Sequence, residues 1–386
     1  MRVAYVTTDP GIPPFGTKGA SIHVQSVLRE LLAAGHQVTL FSPRLGITAP
    51  AEFAEVALHP LPTAPRGDDA EGRAAWALAL NDTVARDLAR TGPFDFIYER
   101  HALFAHGAME FAARAGIPSA LEVNAPLIAE HGRHRRMVRQ SDAEASARRA
   151  FAAARLLAAV SPAVADYARD LGAPPARTAV IPNGVDPSRF DARPARSGPF
   201  TVGFVGTLKP WHDTATLVEA FALLRRDHVP DARLLIVGDG PQRATILARL
   251  DQQSLTDAAQ LTGAVQPDQI PGWLTRMHVA TAPYRGDQPF YFSPLKLYEY
   301  MAAGLPVVTS DVGDLAQVLD GGRLGAIVPP DDPAALALAL AGLARDPAAG
   351  IAMGARARAE VLAHHGWDRI VARILTRATA SGQEAA

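Results

Sequence analysis

Lys296 and Glu299 stand three residues apart in the run "FSPLKLYEYMAAG" (292–304). The Ser293-Pro294 turn opens a helix, so the amides of Leu295 and Lys296 have no carbonyl four residues back and can hold a diphosphate. Glu299 shares the Lys296 face, where a carboxylate can accept two ribose hydroxyls. The plainer alternative is a surface ion pair of little energetic consequence. Leu295, Leu297, Tyr298, Tyr300 and Met301 leave little solvated face for such a pair. A second group lies in "GFVGTLKPWHD" (203–213), where Gly206 ends a strand and Lys209 and His212 follow. Lys209 would be a point charge for a phosphate, although alone it would read as a solvated lysine. The third is "PFGTKGAS" (14–21), a glycine pair, Gly16 and Gly19, running into a helix start that attracts anions. A surface loop that needs glycine explains that pair equally well.

Other chemistries fail on spacing. A dinucleotide fingerprint needs Gly-x-Gly-x-x-Gly directly after a strand, but here the glycines fall at 11, 16 and 19. "VGDGPQRA" (237–244) keeps only Gly-x-Gly, and no Walker P-loop occurs. The chain has no cysteine, which removes disulfides, thiolate metal sites and thiol nucleophiles. It has no Asp-x-Asp and no obvious histidine cluster, so no metal and no cofactor is expected. A formal net charge of −1 gives no global basic field, and nucleic acid is not expected as a partner.

These residues need a scaffold, and 386 residues with 48% hydrophobic and 20% charged content suit two globular domains. Short apolar runs at 3–8, 37–42, 94–99, 119–124, 156–161 and 178–183 alternate with helical stretches, and the series restarts at 200–206, 232–240, 259–264, 279–284, 305–311 and 324–330. Such alternation means parallel sheets with crossover helices. The fold class is therefore α/β, two Rossmann-like domains expected to face each other across a cleft. The first is 1–185 and the second 186–366, joined through the Pro- and Arg-rich "NGVDPSRFDARPARSGPF" (183–200), with a helix over 367–380 packing back on the first and a frayed tail after it. Ser21 is expected to cap the first helix and Gly35 to end it. No run reaches the ~20 apolar residues of a membrane span. The N-terminus enters a strand without a signal-like segment, and the expectation is a cytoplasmic protein. The basic run "HGRHRRMVRQ" (131–140) would suit an anionic acceptor or peripheral contact with a membrane surface. The solvated face of a helix running on to Arg148 is the favoured reading.

In order along the chain, "PFGTKGAS", "AVSPAVADY" (159–167), "VIPNGVDPSRF" (180–190), "GFVGTLKPWHD", "LLIVGDGPQRATILARL" (234–250) and "LYEYMAAGLPVVTSDVG" (297–313) resemble glycosyltransferase family 4, retaining nucleotide-sugar transferases of GT-B fold. The resemblance implies that Glu299 holds the donor ribose, that Pro294, Leu295 and Lys296 meet the diphosphate, that Gly16 and Gly19 close on the phosphates and that Val265, ending "LTGAV", reads the base. Two departures stand out: the first glutamate of the family's Glu-x7-Glu motif falls on Tyr291, and its Arg/Lys pair falls on Thr207 and His212. Lys209 is then a substitute for the missing charge, or neutral His212 a donor to phosphate. The family's catalytic-side histidine falls near Arg100 and His101 in "FIYERHALF" (96–104), and the next strand end, "ALEVNAPL" (120–127), offers Glu122 and Asn124 on the acceptor side.

The implied activity is metal-independent transfer, with retention, from a nucleotide diphosphate sugar, UDP favoured, to a small-molecule, glycan or lipid-linked acceptor. An epimerase, a phosphorylase or a non-catalytic homologue is the alternative.

Overall fold

The computed structural model describes residues 1–46, 48–67, 69–134, 137–190 and 197–380. The chain divides into two compact units: Met1–Asn183 with Tyr291–Ser293 and the segment from Trp367, and Gly184–Phe290 with Pro294–Gly366.

Among the described residues the first unit carries seven strands: β1 (Arg2–Thr7), β2 (Gln37–Ser42), β3 (Ala57–Pro60), β4 (Phe96–Arg100), β5 (Ser119–Val123), β6 (Leu156–Ala159) and β7 (Thr178–Val180). They form one sheet in the order β3-β2-β1-β4-β5-β6-β7, with every pairing parallel. Alternate residues feed opposite cores. Ala4 and Val6 of β1 join Phe41, Leu88, Met109 and Phe151 on one face, while Val3 and Tyr5 join Val27, Leu40, Phe96 and Ile374 on the other. Strand β3 was not expected from sequence: "ALHP" is a short edge strand ending in proline, with no apolar alternation to mark it.

The second unit has β8 (Thr201–Val205), β9 (Arg233–Val237), β10 (Ala259–Leu261), β11 (Val279–Ala282), β12 (Val307–Ser310) and β13 (Ala326–Val328). Its order is β10-β9-β8-β11-β12-β13, again all parallel. Both sheets thus run outward in one direction from their first strand, then switch to the other side. In such sheets the ligand crevice opens at the switch, beyond the strands' C-terminal ends. The switch points are β1/β4 and β8/β11.

Two local expectations change, and two others hold. Helix Gly19–Ala33 begins at Gly19 with Lys18 as its cap residue, so Ser21 is the third helical residue, buried, and does not cap. Gly35 closes that helix at φ +74, a left-handed geometry that glycine adopts without a Cβ clash. The basic run does not lie on one helix reaching Arg148: Leu127–His134 and Gln140–Ala153 are separate helices, with Arg139 at φ +50 between them. Arg135 and Arg136, the 191–196 part of the joining segment and the expected frayed tail from 381 lie outside the described residues. Helix Trp367–Ala380 packs on helix Gly19–Ala33, burying Trp367, Ile370 and Ile374. Among the described residues no single helix is long and apolar enough to cross a membrane.

Candidate active site

At the second unit's switch point, two strand-end turns are locked together. Gly206 follows β8 at φ +147 and Gly238 follows β9 at φ +136. A Cβ on Gly238 would lie 2.1 Å from the Gly206 carbonyl oxygen, so only glycine lets the two backbones approach. The Gly206 amide donates to the Val237 carbonyl at 2.9 Å, and the Leu208 amide to the Asp239 carbonyl at 2.9 Å. Gly238 in turn donates to the Gly263 carbonyl at 3.1 Å, which draws in the "LTGAV" strand end with Val265 half-buried behind it.

Lys296 projects into this corner from helix Leu295–Ala302. Its Nζ lies 4.4 Å from the ring centre of Phe204 on β8 and 5.3 Å from that of Tyr284, just past β11. The Nζ is sealed from solvent and hydrogen-bonds to nothing, although the residue as a whole is only half-buried. Burial pulls its pKa down to about 7, against the opposing charge of Glu299. Aromatic faces attract an ammonium but offer no acceptor for its three N–H groups. An unpaired buried cation is costly and usually marks a site awaiting an anion. Beside it Pro294 precedes the helix without a side-chain cap, and its carbonyl takes the amides of Leu297 and Tyr298 at 2.9 and 3.2 Å. The amides of Leu295 and Lys296 remain directed outward from the helix start. Leu295 is exposed, so it does not help close that face as its apolar character suggested. Glu299 is half-buried; burial pushes its carboxyl up, and Arg189 and Lys296 oppose the shift.

His212 is held differently from expectation. Its Nδ1 is 2.7 Å from the Thr207 carbonyl, and burial followed by the charge of Lys296 pushes its pKa down to about 3. A carbonyl only accepts, so the neutral ring carries its hydrogen on Nδ1 and presents a bare lone pair at Nε2. Neutral His212 therefore cannot be the phosphate donor suggested by its position. Lys209, whose Nζ lies 5.7 Å from the ring centre of Trp211, remains as the second cation on that loop.

Tyr291 and Ser293 belong to the first unit, not to the Lys296 corner. Tyr291 is buried in that unit's core and donates its hydroxyl to Glu130 at 2.6 Å; its carbonyl accepts from the Ser161 hydroxyl at 2.8 Å. The Ser293 hydroxyl accepts from the Asn183 amide at 3.1 Å.

At the first unit's switch point the carboxylate of Glu122, on β5, is a hub. Arg100, paired with it across the β4–β5 ladder, donates from a guanidinium nitrogen at 3.1 Å. The hydroxyl of Tyr98 and the amide of Asn124 donate to the same carboxylate. His23, from the helix that follows the glycine loop, sits with Nε2 2.7 Å from Glu122 Oε1, close enough for an ion pair though its ring is poorly aligned for a hydrogen bond. Burial pushes the Glu122 carboxyl up, but His23, Arg100 and Tyr98 outweigh it and hold it well below the usual range. His101 stands apart: its Nδ1 is buried without a partner, its ring lies 5.1 Å from Phe151, and burial pulls its pKa down to about 4. Gly16 is pinned by Gln25, which donates to its carbonyl at 2.9 Å, whereas Gly19 opens the helix with free space around it. Sequence reasoning missed His23, Tyr98 and Glu99. The signal for two of them was in "FIYER": Tyr98 and Arg100 share one face of the strand, and Glu99 takes the other.

Two family models match the chain: "Glycosyltransferase Family 4" over residues 17–189 and "Glycosyl transferases group 1" over 199–346. The chain is a family 4 glycosyltransferase. Glycogen synthase of Mycobacterium tuberculosis is 28% identical to it over 96% of this chain and 92% of that protein. The 2-deoxystreptamine glucosyltransferase of Streptomyces kanamyceticus is 31% identical over 47% of this chain and 49% of its own. Among solved structures, Anabaena HepE in complex with UDP superposes with a TM-score of 0.73 at 17% identity, over 98% of this glycosyltransferase and 100% of that chain. The likeness supports the GT-B assignment of the two Rossmann-like domains.

Proposed function

We propose that this glycosyltransferase moves a sugar from a nucleotide diphosphate sugar, with UDP as carrier, to an acceptor hydroxyl, retaining the anomeric configuration and using no metal ion. The observation that carries the reading is the sealed, unpartnered Nζ of Lys296 at the β8/β11 switch point, beside the Gly206 turn and an uncapped helix start. A diphosphate there would receive N–H groups from Leu295 and Lys296 and the charges of Lys296 and Lys209, in a corner where solvent does not screen them. Glu299 would accept from the ribose hydroxyls, one turn along the same helix. The Anabaena structure supports UDP as the carrier, since it was solved with that nucleotide bound.

In the transfer, the bond from the anomeric carbon to the diphosphate oxygen breaks and a bond to the acceptor oxygen forms on the same face. The acceptor's proton passes to the departing phosphate oxygen, so no side chain has to act as nucleophile. Two lysines and a helix start supply the charge that a divalent ion supplies elsewhere. On the first unit, His101 and the Glu122-anchored Arg100 are the proposed catalytic-side residues. The test is a thermal-shift comparison of UDP, GDP and their sugars, followed by transfer assays with and without EDTA. Stabilisation by UDP and EDTA-resistant transfer with an α-linked product support the reading. Stabilisation by GDP alone overturns the carrier, and activity lost to EDTA and restored by Mg²⁺ overturns the metal-free step.

A further inference from the structure

In the second unit, β8 and β11 part before their C-terminal ends. Among the described residues their parallel pairing covers only Val202 with Val279 and Gly203 with Ala280. The Thr281 hydroxyl still reaches across, donating to the Gly203 carbonyl at 2.8 Å. Two residues further on, a side chain serves the backbone of Val205. The Val205 amide donates to the Tyr300 hydroxyl at 2.7 Å, and that hydroxyl donates to the Val205 carbonyl at 3.2 Å. We propose that Tyr300 is a positioning residue for sugar transfer: its hydroxyl fixes helix Leu295–Ala302 against the end of β8, at the spacing that lets Lys296 meet the diphosphate. The inference rests on the donor reading above and adds the residue that sets that site's geometry.

A strand that ends inside a protein needs a partner for every N–H and C=O. Val205 finds both in one group, because a phenol hydroxyl accepts and donates at once. The next amide, that of Gly206, goes the other way, to the Val237 carbonyl of β9. Tyr300 is fully buried, in the core that also holds Val205, Ala280 and Ala282. A phenylalanine would fill that volume as well, so packing alone gives the hydroxyl no purpose.

Lys296 stands four residues before Tyr300, one helical turn nearer the helix start and on the same face. The two side chains meet consecutive parts of one strand end. Tyr300 holds Val205, while Lys296 Nζ lies 4.4 Å from the ring centre of Phe204, and a Cβ on Gly206 would come within 3.3 Å of it. The facing wall is set in a similar way. The amide of Tyr284, just past β11, donates to the Ser310 hydroxyl of β12 at 3.0 Å. With β8 tied to the helix and the chain after β11 tied to β12, the two strand ends stay apart. The ammonium occupies the gap between the rings of Phe204 and Tyr284. Loss of the Tyr300 hydroxyl would leave Val205 N–H and C=O unpaired and free the strand end to shift. At a preorganised site a shift of that kind weakens binding without unfolding the domain.

The experiment is calorimetry with UDP and saturation-transfer NMR with uridine on the full chain, comparing wild type, Tyr300→Phe and Leu340→Ala. Tyr300→Phe keeps the ring and should fold. It should bind UDP about tenfold more weakly, and uridine within about twofold of the wild type, because only the diphosphate end is displaced. Leu340 is buried in the core on the other face of the sheet, so Leu340→Ala lowers stability alone and should keep UDP affinity within about twofold. Unchanged UDP affinity in Tyr300→Phe overturns the inference and leaves the donor reading standing. So does an equal loss of uridine in that variant, or an equal loss of UDP in Leu340→Ala, since either would make Tyr300 structural only. Should Tyr300→Phe not fold, hydrogen exchange at the Val205 amide of the wild type decides: UDP should slow it about tenfold, and an unchanged rate overturns the inference. Failure of the wild-type chain to bind UDP overturns the donor reading itself, and the inference with it.

Discussion

Replacing Lys296 with methionine should make the free protein more stable and the nucleotide site useless. Methionine nearly matches lysine in length and packs well against the rings of Phe204 and Tyr284. The lysine's pKa falls from 10.5 to about 7 on folding, mainly through burial. The unfolded chain therefore binds more protons between those values, and the stability of the wild type rises with pH across that window. Below about pH 7 both states carry the charge and the folded state bears the whole penalty. At 1.36 kcal/mol per unit, the penalty is at most about 5 kcal/mol near pH 6 and about 2 kcal/mol near pH 9. Thermal melts of both proteins at these two pH values read the difference. The variant should melt several degrees higher at the lower pH, with the gap narrowing at the higher. UDP should raise the melting temperature of the wild type alone. A variant that melts lower at both pH values, or still gains stability from UDP, would refute the reasoning.

The same ammonium sets a pH dependence for binding. UDP affinity should fall by up to about tenfold per pH unit above about 7, because the anion needs the protonated lysine; calorimetry across pH reads it, and Lys296→Arg should flatten the slope. Glu122→Gln removes the counter-charge of the buried Arg100 and should destabilise the first unit by about 3–5 kcal/mol in urea melts. Gly238→Ala places a Cβ 2.1 Å from the Gly206 carbonyl at a positive φ, so UDP binding should be lost before the fold is, as binding and circular dichroism would show. Tyr291→Phe removes one hydrogen bond to Glu130 and should cost about 1 kcal/mol of stability.

Much of the scaffold was readable because the buried parallel strands are short apolar runs with glycine, proline or aspartate at their ends. Strand β3 escaped since an edge strand need not be apolar. The Lys296 corner was readable as a lysine among mostly apolar neighbours, although Leu295 proves exposed. The tautomer of His212 was not, because it depends on a carbonyl five residues back whose direction the loop fold sets. The place of Tyr291 was equally hidden. Its motif position pointed to the donor, but its aromatic ring is buried among first-unit apolar side chains, a tertiary choice that local sequence does not encode. His23 lay in plain view in "GASIHV", yet only the folded helix brings it to Glu122, 99 residues away by number.

The central claim concerns where the diphosphate sits, and a crystal structure with UDP measures that directly. The account predicts phosphate oxygens within hydrogen-bond distance of Lys296 Nζ and of the Leu295 and Lys296 amides, and ribose hydroxyls on Glu299. A diphosphate bound elsewhere, with Lys296 Nζ still enclosed by Phe204 and Tyr284 and touching no phosphate, would contradict it.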